Sequence, residues 1–78
     1  MAFIEGVYMN LKAIGKKCQE FRLSLGYTQD DIGNCIGYSR ETISMFENGK
    51  NDNLLIFLWY IIMGMNINDI ISDIEVLK

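Results

Sequence analysis

The chain is 78 residues long, half of them apolar, with seven glycines, no proline, two cysteines, no histidine and a formal net charge of −3. That length holds one domain and one core, close to the lower limit at which burial alone stabilises a fold. Without histidine the commonest general base and metal ligand is missing. Cys18 and Cys35 are too few for a disulfide scaffold and lack metal-ligand spacing, so neither a metal nor a cofactor is expected.

Residues 1–9 have no clear hydrophobic period and are compatible with a frayed arm, a strand or a helical lead-in. No basic stretch precedes an apolar one there, so a signal peptide is not expected. Leu11, Ile14, Cys18, Phe21 and Leu25 step by three and four, which predicts a first amphipathic helix capped by Asn10 and ended by Gly26.

A short second helix starts after Thr28, whose hydroxyl can accept from the Asp31 amide while Asp31 reaches back. It runs through Ile32 and Cys35 to Ile36 and stops at Gly37. Ser39 caps a third helix from Arg40 to about Glu47, with Ile43 and Phe46 inward, and Asn48-Gly49 ends it. A fourth helix covers Leu54 to Met63, capped by Asp52 or Asn53 and closed by Gly64. That apolar run is half of what a bilayer span requires, so no membrane partner is expected and the cytoplasm is the default location. Asn66 caps a fifth helix, with Ile67, Ile70, Ile71, Ile74 and Leu77 at helical spacing and Asp69 in the capping-box position. No strand is expected after residue 10, and both cysteines fall on apolar faces as small core residues. The fold class is all-α, one compact five-helix domain over residues 1–78.

The second and third helices, joined by a turn of about three residues containing glycine, have the layout of a helix-turn-helix at about residues 28–48. In detail the chain resembles the lambda-repressor-like, Cro and Xre family of regulators. The matching features are R-x-x-x-G-x-T-Q from Arg22 to Gln29, the Ile32-Gly33 pair, Gly37-x-Ser39, Ile43, and F-E-N-G from Phe46 to Gly49. The resemblance covers roughly residues 11–71. It lacks a proline common after the third helix in that family, and the loop before the fourth helix is about one residue shorter.

Arg22 and Glu47 border the apolar stripes of the first and third helices, and opposite charges so placed should pair, since an unpaired buried charge is very costly. The resemblance also implies an internal ion pair at these positions. It further implies that Arg40, Glu41 and Met45, with Ser44 nearby, face bases in the major groove. Arg40 suits guanine O6 and N7, Glu41 suits cytosine N4, and Met45 suits a thymine methyl. Gln29 at the start of the second helix, Ser39 and Thr42 at the start of the third, and Asn48 and Lys50 after its end are candidates for phosphate contact. Lys12 and Lys16 add diffuse attraction, while Tyr27 and Tyr38 suit either base stacking or turn packing.

Charge permits this reading without deciding it. From Asn10 to Lys50 six basic residues face five acidic ones, whereas the remaining residues carry Lys78 against five acids.

The fourth helix is apolar on every side, where a surface helix should show a polar face. The resemblance places Leu55, Ile56, Trp59 and Met63 in the core, which leaves Leu54, Phe57, Leu58 and Ile61 as a homodimer contact, with residues 1–9 or the fifth helix as alternative covers of that patch and the fifth helix as an alternative dimer contact. A dimer would set two recognition helices about 34 Å apart, one major-groove turn. The expectation is therefore a non-enzymatic, homodimeric repressor of double-stranded DNA without a ligand-sensing domain. The alternative is a protein-interaction module of the same fold with weak or no DNA affinity. Asp30 and Asp31 are adjacent on a helix start and point apart, so they are not a catalytic pair.

Overall fold

A computed structural model describes residues 7–71 and 74–76. In chain order they form β1 (Val7–Met9), α1 (Leu11–Leu25), α2 (Gln29–Ile36), α3 (Arg40–Glu47), α4 (Leu54–Ile62), α5 (Asn68–Ile71) and β2 (Ile74–Val76). The helix starts follow side-chain chemistry. Asn10 Oδ1 accepts from the Ala13 amide at 3.1 Å, and Asn53 rather than Asp52 caps α4 by accepting from the Leu55 and Ile56 amides. At α2 the reciprocal box forms: Asp31 N donates to Thr28 Oγ1 at 3.1 Å, and Thr28 N to Asp31 Oδ2 at 2.8 Å. Gly26 and Gly37 end α1 and α2 in the left-handed region (φ 81° and 80°), where a side chain would be strained.

The mostly helical expectation holds, with two differences. The fifth helix is a single turn, and Ile74, expected on its apolar face, lies in a strand; Leu77 lies outside the described residues. The physical reason is pairing. Ile74-Glu75-Val76 is rich in β-branched residues, and an antiparallel ladder (Val7 with Val76, Tyr8 with Glu75, Met9 with Ile74) pairs the facing backbone groups of the two strands. The N-terminal stretch accordingly contains a strand at Val7–Met9, while residues 1–6 lie outside the described residues. An all-α reading therefore lacked this two-stranded sheet.

One core gathers Ile14 and Cys18 from α1, Ile32 from α2, Ile43 and Phe46 from α3, Ile56 and Tyr60 from α4, then Met65 and Ile70. Cys18 is buried, and loss of solvation together with the nearby Glu47 charge pushes its thiol up to about 12. Cys35 is exposed, against expectation. At about 100° per residue the inward side of α2 is centred between Ile32 and Ile36, and Cys35 falls to one flank.

Three glycines let backbones touch, Gly49 against the start of α1 and two others within helices. A Cβ on Gly15 in α1 would stand 2.5 Å from the Glu47 carbonyl oxygen and 2.6 Å from that of Phe46. A Cβ on Gly33 in α2 would run into the Tyr38 carbonyl oxygen. Gly33 therefore fits the turn rather than a crossing helix, and Gly15, absent from the sequence motifs, is what lets α1 lie directly on the end of α3. Ordinarily Gly→Ala inside a helix stabilises by about 0.5–1 kcal/mol. Gly15→Ala should instead destabilise by about 1–3 kcal/mol, because backbone must shift to admit the methyl group. Urea denaturation of the two proteins checks the sign.

Candidate nucleic-acid interface

The candidate site is built outward from a buried carboxylate. Glu47, at the end of α3, is 3 % exposed and Arg22, on α1, 5 %. Arg22 Nε donates to Glu47 Oε2 at 2.8 Å and Arg22 Nη2 to Oε1 at 3.0 Å, a two-pronged pair. Its remaining arm, Nη1, donates to the Tyr27 carbonyl at 2.8 Å and so ties down the turn between α1 and α2. The Tyr60 hydroxyl of α4 donates to Oε2, and Gln29 Nε2 of α2 donates to Oε1 at 3.1 Å. Each carboxylate oxygen thus receives two donors.

Burial pushes the Glu47 carboxyl up, but the hydrogen bonds from Arg22, Tyr60 and Gln29 outweigh it and hold the group below its ordinary range. The same contact with Glu47 raises Arg22, and burial followed by the Glu47 bond drives the Tyr60 hydroxyl far above its usual value. Tyr60 was not singled out from sequence. Its signal was a lone hydroxyl within an apolar helix, which needs a partner once buried.

Around this anchor α2, the turn and α3 present the remaining candidates. Arg40, Glu41 and Met45 are exposed on α3, with Met45 46 % exposed, and Ser44 is half-buried beside them. Together with Gln29 they line a surface groove of about 430 Å³. Gln29 and Arg40 also border an adjoining groove of about 570 Å³ running past Thr28 and Tyr27. The structure therefore brings the base-facing candidates and Gln29 together at one surface.

The other anchoring candidates are used differently. Ser39 Oγ accepts from the Thr42 amide at 3.2 Å and lies 2.9 Å from the Thr42 hydroxyl, capping α3. Asn48 Nδ2 donates to the Ser44 carbonyl at 2.8 Å, closing the other end of α3. Lys50 is exposed just beyond. Gln29 is not simply a free surface amide, since one of its donors is committed to Glu47. Tyr27 packs its ring edge-on to Trp59 with centroids 6.0 Å apart, and Tyr38 is half-buried against the core, so both serve turn packing.

On α4 the sequence reading divided the faces incorrectly. Ile56 and Tyr60 are buried, with Phe57, Trp59 and Ile61 packed partly against the core. Leu55 is 57 % exposed and Met63 39 %, although both were expected inside. The outward row is Leu54 (65 %), Leu55, Leu58 (40 %) and Ile62 (79 %), an arc of roughly 100° opposite Ile56 and Tyr60. Phe57 and Ile61, expected outside, are half-buried, while Leu55 and Ile62 stand on the exposed row.

Among the described residues no group of three or more His, Cys, Asp or Glu side chains could hold a metal ion, and no helix is long and apolar enough to cross a membrane. Comparison with protein-family models, curated proteins and solved structures returned no match.

Removing one partner of the buried pair leaves a charge without compensation, so Arg22→Ala should lose about 3–5 kcal/mol. Tyr60→Phe, which deletes one bond to a charged acceptor, should lose about 1.5–3 kcal/mol. Because Glu47 titrates lower when folded than its unfolded value of about 4.3, its contribution is complete above that pH. It is lost as pH falls through the folded value. Urea midpoints measured from pH 7 to pH 2 should show this acid-limb loss in the native chain and a shallower one in Glu47→Gln.

Proposed function

We propose that this chain is a sequence-specific, double-stranded DNA-binding transcriptional repressor of the lambda-repressor-like, Cro and Xre type, acting as a homodimer. The observation that carries the reading is the exposed α3 face. Arg40, Glu41, Ser44 and Met45 line one groove beside Gln29, on a helix whose other face is locked to α1. A helix held in this way can enter a major groove as a rigid body and offer side chains of distinct chemistry to base edges. Arg40 supplies bidentate donors for guanine, Glu41 an acceptor for the cytosine amino group, and Met45 apolar contact. Gln29 and Lys50 flank that face and serve the backbone phosphates, with Ser39, Thr42 and Asn48 beside them adding contacts from the groups their capping bonds leave over.

The homodimer part of the proposal rests on α4. A patch of four large aliphatic side chains, on the order of 400 Å², is about half the area each partner contributes to a standard interface. At Leu54 it continues into an apolar groove of about 450 Å³ lined by Met9, Leu11 and Phe57. The helix has no charged residue to select a different partner, and a twofold contact lets one patch cover its own copy.

A second reading, a protein-interaction module of the same fold, is favoured by the net charge of −3 and by an exposed acid beside Arg40. Salt separates the two. A DNA regulator loses duplex affinity steeply as salt rises and prefers some sequences, whereas an interaction module shows neither.

For a duplex selected from a random pool, Arg40→Ala should relax preference at one position per half-site and cost about 1–3 kcal/mol there. Uniform loss across all sequences would remove Arg40 from base reading. Sedimentation at micromolar concentration should show a native dimer and a monomeric Leu58→Lys, Ile62→Glu double variant. A native monomer, or a variant that stays dimeric, removes α4 from the interface.

A further inference from the structure

The Glu47 carboxylate sits in the core, yet one of its four donors belongs to the candidate DNA surface. Gln29 is half-buried, lines the groove with Arg40, Glu41, Ser44 and Met45, and gives one N–H to Glu47 Oε1. That bond has a direction. An ionised carboxylate only accepts, so it can hold only the nitrogen end of the Gln29 amide. The flipped amide, with its carbonyl oxygen against Oε1, would place two acceptors face to face in a site largely closed to water. The second N–H and the carbonyl oxygen of Gln29 therefore project away from Glu47 in a defined orientation.

We propose that Glu47 is a positioning residue for nucleic-acid binding: its carboxylate orients the Gln29 amide so that the remaining N–H is presented to a DNA phosphate. This rests on the DNA-binding reading above and adds a role to a residue otherwise buried for stability. Pre-orientation matters because an amide free to flip must be ordered on binding, at the expense of affinity. A glutamine at position 47 could donate or accept, and would leave Gln29 free to turn either way. Tyr60 provides the contrast. It bonds the other oxygen, Oε2, so its loss weakens the fold without releasing Gln29.

The test is duplex binding by a selected, labelled site, measured by fluorescence anisotropy under conditions where circular dichroism shows each protein folded. Gln29→Ala should weaken binding about tenfold, equivalent to about 1.4 kcal/mol. Glu47→Gln should weaken it several-fold in the native background, but have no further effect in the Gln29→Ala background. Tyr60→Phe should melt at lower temperature and bind as tightly as the native chain. An equal loss from Glu47→Gln in both backgrounds, or no loss in the native one, overturns the positioning role and leaves the DNA reading standing. A native chain that binds no duplex overturns both.

Should Glu47→Gln fail to fold, the native protein still decides by NMR. One side-chain amide proton of Gln29 should be protected from solvent exchange relative to the other on the same nitrogen. Two Gln29 amide protons that exchange equally fast overturn the proposal.

Discussion

A carboxylate taken to 3 % exposure gives up its hydration, and the chain must replace those bonds from within. At Glu47 the replacements come from three other helices. The acid is on α3, Arg22 on α1, Gln29 on α2 and Tyr60 on α4. None of these bonds can form until the helices are assembled, and once formed they penalise sliding of any one against the others. Apolar contacts alone tolerate small shifts, because they are non-directional. The ion pair adds direction, so the angle of α3 relative to α1 and α2 is set by hydrogen-bond geometry as well as by packing.

Close backbone approach reinforces that arrangement. Gly15 lets α1 rest on the last turn of α3 and Gly33 accommodates the turn before it, so α3 is held at both ends. Ile43 and Phe46 fill the core beneath it, with the Phe46 ring stacked on Tyr60 at 5.9 Å. The opposite side of the helix is left with few structural duties. Arg40, Glu41 and Met45 are exposed there, with Glu41 also placed in the first turn where a carboxylate favours the helix start.

The acid-sensitive network and the exposed surface meet at Gln29. A side chain that belongs to both transmits the order of the core outward by a single bond of 3.1 Å. Conversely α4 exports apolar surface. Its inward positions serve the core while its outward row has no polar residue to satisfy water, and that excess is the surface on which the proposed homodimer rests.

Sequence alone determined the elements whose signals are local. The boundaries of α1, α2 and α3 follow from Asn10, Thr28 and Ser39 as caps and from Gly26 and Gly37 as stops, since capping depends on residues three or four apart. The Arg22–Glu47 pair was legible as well, because two opposite charges on apolar stripes have few other ways to be satisfied. Where every position is apolar, as on α4, periodicity carries no information, and only the packed structure decided that Tyr60 points inward and Leu55 outward. The same holds for pairings distant in the chain. The β1–β2 ladder and the bond from Gln29 to Glu47 join residues whose neighbours in sequence say nothing of each other, and a partner in space, not local pattern, determined them.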